Sequence, residues 1–464
     1  MYCQNFDIPP KPLKRKISPK IEDPFFFEME NGLRVVLVEN HRIPIVRIGM
    51  SLDTEPVQEG NKAGLQAVFG KMLLAGTKKY KKEELENLLD YMGVTVYTSF
   101  KDIELTTMKR YLKKSMELMH EIVMHSRLDN QEELKRIVNQ KIITIKISEK
   151  DPSEILEKVK NIIFFGRKHP YGEYESSKSL RRITIKDIQD LYNEYYAPNK
   201  FYLHFVGDIS KEEVKDFCDI YFSDWKEKPF DDTNDEKEDL LLSKKHFIPR
   251  GIEIDLIDLP YLTQSHICIG NPIFLRKEDP LYIPSILSNG ILGSGPQSRL
   301  FLNIREKKAY TYGISSTLMA DEYIGFFSID TQVKNKKTGN TIKEILNEIN
   351  QIVNHGINLE ELEIKKQEMI GQFILSLEDL YKTCDCFISE SKEEAPMEFH
   401  KNYIKNINAV TFDEVNESCR KFFHMENERI LVVGNGKEIF SSLNELGYPI
   451  RFFDRNGFLT DKKF

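Results

Sequence analysis

The sequence predicts an α+β protein of two homologous domains, each a mostly antiparallel sheet with helices over one face. An internal repeat is the first reason. Residues 183–208, ITIKDIQDLYNEYYAPNKFYLHFVGD, lie over residues 410–435, VTFDEVNESCRKFFHMENERILVVGN, without a gap. An offset from 183 to 410 is far too long for a solenoid and means duplicated domains. The second reason is local. Asn31-Gly32 sits between alternating apolar runs, a strong signal for a two-residue hairpin. The third is the mixture of such hairpins with helices of two to four turns, which argues for layered α+β architecture.

The elements follow in chain order. FFFEMENGLRVVLVENHRIPIVRIGMSLD (25–53) holds a hairpin and a third strand. AGLQAVFGKMLLAGT (63–77) reads as a helix, and KKEELENLLDYMG (81–93) comes after it. HEIVMH (120–125) and QKIITIKISEK (140–150) lie on further helices, and KHPYG (168–172) makes a turn. Within each repeat copy, Thr184 or Thr411 precedes an amphipathic helix and fits its N-cap. A short connector and a strand ending at Gly207 or Gly434 come next, and then another helix, from Lys211 or Lys437. Between the copies, KEKPFDDTNDEKEDLLLSKKHF (226–247) is acidic in its centre and has the composition of a solvated linker. The expected division is therefore 1–24 as an extension, 25–228 as the first domain, 229–247 as the linker and 248–464 as the second domain.

Composition narrows the class. The 464 residues are 40% hydrophobic and 30% charged, with a net charge of −7. That balance leaves no basic footprint for nucleic acid. No apolar run approaches the ~18 residues of a membrane helix. The first residues have lysines but no apolar core, so no secretory signal is expected as written, and prolines oppose a transit helix. The expected compartment is the cytoplasm, or the periplasm if a signal has been trimmed. Six cysteines (Cys3, Cys218, Cys268, Cys384, Cys386 and Cys419) are too sparse for a disulfide scaffold. Cys384 and Cys386, two apart on a helix, are expected to be ordinary thiols.

Chemistry-bearing motifs are few. His120 and His125 stand five apart, about 140° around a helix, and are expected not to chelate one ion. His169 opens a turn with no expected ligand partner. Gly293-Ser294-Gly295 lacks the Gly-Lys-Ser/Thr of a phosphate loop and follows a helix, so no nucleotide site is expected.

Residues 63–77 resemble the zinc helix of the insulinase, pitrilysin and mitochondrial processing peptidase family, whose pattern runs G-L-A-H-F-L-E-H-M-L-F-K-G-T. Gly64, Leu65, Met72, Leu73, Gly76 and Thr77 fit it. The three chemical positions of H-x-x-E-H are here Ala67, Gly70 and Lys71. Alanine and glycine have no lone pair to offer. A like unit charge ~4 Å away costs about 4 kcal/mol at an effective dielectric near 20, and zinc is divalent. The third ligand of the family, a helix glutamate, has Thr144 nearest its place, with Glu149 off register. No catalytic zinc is expected in this chain. The resemblance covers nearly the whole chain, also through KHPYG and YNEYYAPNKFYLHFVGDIS (192–210), and implies a clamshell of two halves around a peptide-sized chamber.

SRLFLNIREKKAYTYGISS (298–316) resembles the family's second active-site element, in which a tyrosine follows an arginine by seven residues. These are Arg305 and Tyr312, with Tyr310 as the competing tyrosine. The resemblance implies that the pair stabilises the carbonyl oxygen's charge during peptide hydrolysis. Neither residue supplies a nucleophile. The implied function is the non-zinc subunit of a heterodimeric peptidase whose zinc-bearing paralogue brings metal, water and base to peptide substrates. A structural or assembly subunit and a peptide-binding homodimer are the alternatives.

Overall fold

In the computed structural model, residues 23–228, 251–392, 398–423 and 428–461 are described. The expected linker (229–247), nearly all of the expected extension (1–24) and Cys3 lie outside them. The first half runs β1 (Phe25–Glu28), β2 (Arg34–Glu39), β3 (Ile45–Leu52), α1 (Leu65–Met72), α2 (Lys82–Met92), β4 (Thr95–Thr98), β5 (Asp102–Met108) and α3 (Leu112–Met124). It continues through α4 (Gln131–Ser148), α5 (Pro152–Phe165), α6 (Ser177–Leu180), α7 (Ile185–Tyr195), β6 (Phe201–Gly207) and α8 (Lys211–Phe222). The second half runs β7 (Glu253–Asp258), β8 (Gln264–Ile273), α9 (Tyr282–Gly293), a π-helical segment (Phe301–Lys307), β9 (Thr311–Met319), β10 (Gly325–Lys334) and α10 (Thr338–His355). After these come α11 (Leu359–Ser376), α12 (Leu380–Lys392), α13 (Phe399–Ala409), α14 (Phe412–Phe422), β11 (Arg429–Gly434), α15 (Gly436–Asn444), β12 (Ile450–Phe453) and β13 (Leu459–Thr460).

Two sheets result, ordered β1-β2-β6-β3-β5-β4 and β13-β12-β7-β11-β8-β10-β9. The run β2-β6-β3-β5-β4 has its counterpart in β7-β11-β8-β10-β9, so the repeat seen in two segments extends over five strands of each sheet. Most neighbours are antiparallel; β2 with β6, β7 with β11 and β12 with β7 are parallel. The repeat's threonines cap their helices as expected. Thr184 accepts from the Asp187 amide at 3.3 Å, and the Asp187 carboxylate accepts from the Thr184 amide at 2.8 Å. Thr411 and Glu414 repeat this reciprocal box at 3.3 and 2.7 Å. Each cap is worth about 1 kcal/mol.

The N-terminal hairpin forms, but not with the expected two-residue turn. Glu28 pairs with Arg34, which leaves residues 29–33 as the connection. A type I′ turn needs two left-handed residues, and only Gly32 is left-handed here, at φ 78°. Asn31 is occupied otherwise: its side-chain amide donates to the carbonyls of Phe222 and Trp225 at 2.7 and 2.9 Å, tying the hairpin to the end of α8.

Helices cover one face of each sheet, and the opposite face is covered by exchange. α5, from the first half, packs Ile155, Val159, Phe164 and Phe165 onto Ile257, Cys268, Leu431 and Val433 of the second sheet. α12, from the second half, packs Cys384 and Ile388 onto Val36, Tyr202 and Val206 of the first. This explains why β6 (FYLHFVG) and β11 (RILVVG) are buried almost continuously instead of alternating. Polar contacts fasten both exchanges. The Tyr171 hydroxyl donates to both Asp321 carboxylate oxygens at 3.0 Å, and the Tyr381 hydroxyl donates to Glu104 at 2.6 Å. Arg47 lies 3.5 Å over the Tyr381 ring and pairs with Glu104 at 2.6 Å. Cys384 and Cys386 are buried, free thiols, with Cys384 pushed up to about 12 by burial first and the nearby Asp385 next.

Candidate functional site

α1 is entered through a left-handed Gly64 (φ 99°), and the Glu59 carboxylate accepts from the Gly64 and Gln66 amides at its N-terminus. Val68, Phe69 and Met72 point into the first core, while Ala67 and Lys71, one turn apart, are exposed together on the opposite face. Gly70 is buried. A Cβ built on it lies 2.7 Å from Ser99 Cα and 2.8 Å from the Ser99 carbonyl carbon. The obstacle is backbone, the turn between β4 and β5, which cannot swing aside as a side chain does. Any side chain at this position, a glutamate included, requires that turn to move. On α4, Thr144 is exposed and its hydroxyl donates to the Gln140 carbonyl, while Glu149 is the residue that ends the helix.

Arg305 and Tyr312 come from adjacent elements of the second half. Arg305 sits in the π-helical segment, stacked 4.4 Å over the Phe301 ring and paired with Glu306 at 3.2 Å. Tyr312 is on β9, an edge strand, and is 93% exposed. Tyr310 packs at the margin of the second core beneath the Lys337 ammonium, 4.7 Å from its ring centroid. The backbone linking Arg305 to Tyr312 is irregular three times over. The π-helical turn comes first, then Ala309 with φ 52°, one of two non-glycine residues with positive φ among those described. Last is a bulge: Thr311 and Ile314 face Val333 and Thr331, so β9 carries an extra residue at Tyr312–Gly313. The Gly313 carbonyl there accepts from the Thr311 and Thr331 hydroxyls, both at 2.8 Å. π-turns, left-handed non-glycine residues and bulges all concentrate at functional sites, where they aim side chains that regular structure would not.

The glycine-rich turn at 293–295 joins α9 to the next helical segment, as a helix-to-helix connection. A Cβ on Gly293 would lie 2.7 Å from the Ser316 amide nitrogen, so the glycine serves the close approach of α9 to β9.

The structure brings His120 and His125 closer together than their spacing on a helix predicts. α3 stops at Met124, and His125 leaves it at φ −133° and ψ 19°, so the helical angle between positions five apart does not apply. The two rings meet edge to face with centroids 5.0 Å apart. With Glu121 they present ligand atoms that all lie within 4.8 Å of one another. Burial holds the His120 imidazole below its ordinary value, and His125 beside it adds to the drop. The signal was in the sequence: SRLDN (126–130) breaks the helical pattern and Asn130 caps α4, its side chain accepting from the Glu133 amide at 3.1 Å. His169, by contrast, is buried in the turn, stacked on Phe165 and accepting from the Tyr171 amide at 3.1 Å.

Comparison with known proteins agrees with this architecture. The profile for insulinase (peptidase family M16) matches residues 34–168, and that for the peptidase M16 inactive domain matches residues 182–369. An uncharacterized zinc protease of Bacillus subtilis (strain 168) is 24% identical over 421 residues, covering 88% of this chain and 98% of its own. A second protein of that organism, named as a "probable inactive metalloprotease", is 21% identical over 255 residues, 54% of this chain and 56% of its own. The crystal structure of a peptidase M16 inactive domain from Pseudomonas fluorescens superposes with a TM-score of 0.78 at 19% identity, over 89% of this chain and 98% of that one. No helix among the described residues is long and apolar enough to cross a membrane.

Proposed function

Because the chain belongs to the insulinase family, peptidase family M16, we propose that it is the non-zinc subunit of a two-chain peptidase. Its two halves, 25–228 and 248–464, close one side of a peptide chamber. A paralogous subunit with an intact H-x-x-E-H supplies zinc, water and general base. This chain holds Ala67, Gly70 and Lys71 at those positions and contributes Arg305 and Tyr312. The observation that carries the reading is the triple backbone irregularity between those two residues, which ends in a tyrosine 93% exposed on an edge strand. Such a backbone costs of order 1–3 kcal/mol per strained residue. An exposed ring recovers none of that by packing.

The chemistry follows from charge. Attack on a peptide carbonyl builds an oxyanion, which a phenol hydroxyl and a guanidinium stabilise when both are held in place beforehand. Lys71 fits the same division of labour, since an exposed ammonium repels a divalent ion from this helix and leaves the metal to the partner.

The test is co-purification with a zinc-bearing paralogue of similar length. A stable heterodimer whose peptidase activity rises well above that of either chain alone is the expected result. Homodimers that ignore every such paralogue would instead support a structural or peptide-binding subunit.

A further inference from the structure

Beyond that reading, and independently of it, the geometry points to a divalent transition-metal site formed by His120, Glu121 and His125 at the C-terminal end of α3. The three ligand atoms lie within 4.8 Å of one another, close enough for small side-chain rotations to bring them to one ion. Two imidazoles and one carboxylate are a borderline donor set, suited to Zn²⁺ and to its spectroscopic substitute Co²⁺. A fourth position is left for solvent, and the half-buried imidazoles give an ion a way in.

Glu121 supplies the second, independent observation. It is only 8% exposed, and its buried Oε2 has no hydrogen-bond partner. The buried Nδ1 of His125 lacks one as well. Orphaned buried polar atoms are costly, and a cation held by this cluster would give them a partner. The His120 ring packs against Tyr221 and Phe222, with centroids 5.6 and 6.1 Å away, which fixes its position beside Glu121. Glu117, one turn before His120, is already engaged by Lys79, Tyr80 and Lys114, so it balances their charge and does not neutralise the site.

The position suggests a structural task. The His125 carbonyl accepts from the Lys78 amide at 2.9 Å, the Ser126 hydroxyl donates to the Leu73 carbonyl at 2.8 Å, and Thr77 bridges Ser126. An ion at His120, Glu121 and His125 therefore fastens the end of α3 against the loop that leaves α1.

The experiment uses the full chain, stripped with a chelator and titrated with Zn²⁺ or Co²⁺ alone. One equivalent should bind, Co²⁺ should give visible ligand-field bands of a nitrogen and oxygen site, and Zn²⁺ should raise the unfolding midpoint. His125→Asn and Glu121→Gln should each weaken binding by about 100-fold or more, since even outer-shell partners are worth about 10–100-fold. His355→Ala, at an exposed histidine remote in sequence, should leave it unchanged. Glu121→Gln carries a further signature. Zinc should raise its urea midpoint less than that of the native chain. Absence of binding by the native chain, or equal binding by the variants, overturns the site. If Glu121→Gln does not fold, His125→Asn at the half-buried helix end decides the question. Failure here leaves the two-chain peptidase untouched, since the readout needs no partner.

Discussion

Gly70 touches Ser99 so closely that a Cβ on the glycine would stand 2.7 Å from the serine Cα. The position where the resemblance expects a catalytic base is thus closed by backbone as well as lacking a carboxylate. Gly70→Ala gains about 1 kcal/mol of helix propensity but overpacks this contact at a cost of typically 1–3 kcal/mol. The expected net result is a lower urea midpoint. The triple change Ala67→His, Gly70→Glu, Lys71→His should gain neither zinc at α1 nor activity. An alanine variant at least as stable as the native chain would show that the turn yields.

Tyr312→Phe keeps the ring and removes the hydroxyl of an exposed residue, so folding and assembly should be unaffected. In the reconstituted complex kcat should fall roughly 100-fold, the usual scale for one oxyanion donor. Arg305→Ala should depress kcat/KM, and Tyr310→Phe is the control. Loss at Tyr310 with full turnover at Tyr312 would shift the assignment by two residues. Normal turnover in all three would leave the pair structural.

His204 lies in the centre of β6, 1% exposed, with neither ring nitrogen hydrogen-bonded. Burial lowers its pKa to about 4, with Glu104 opposing the shift and Arg47 and Lys392 adding to it. The unfolded chain takes up this proton near pH 6.5 and the folded chain only near 4. Stability is therefore intact above 6.5 and falls as pH drops through that window, by about 2 kcal/mol between pH 6.5 and 5. His204→Leu should flatten this part of the profile, measured by urea midpoints at matched pH. An unchanged slope would mean that the imidazole is solvated.

The exchanged helices should make the two halves unfold as one. Trp225, the chain's one tryptophan, lies in the first core, and Leu431 lies under α5 in the second sheet. Leu431→Ala should cost about 2–5 kcal/mol. It should shift the Trp225 fluorescence transition together with the far-ultraviolet circular dichroism. Two separate transitions, with Trp225 unmoved, would mean that the exchange carries little coupling.

The sequence by itself determined the duplicated α+β plan, the family, the caps at Thr184 and Thr411, and the residue types at 67, 70 and 71. These are local or periodic properties, written in capping side chains, turn residues and motif spacing. Tertiary structure decided what each apolar face meets. The patterns of α5 and α12 announce buried faces, but nothing local says that each belongs on the other half's sheet. The hairpin turn likewise depended on Asn31 finding the end of α8. His120 and His125 met because α3 stops at Met124 and His125 takes backbone angles outside the helical region, φ −133° and ψ 19°, which residue spacing does not reveal. Gly70 shows the same limit: the sequence gives a glycine, and only the approach of the Ser99 backbone makes it a requirement.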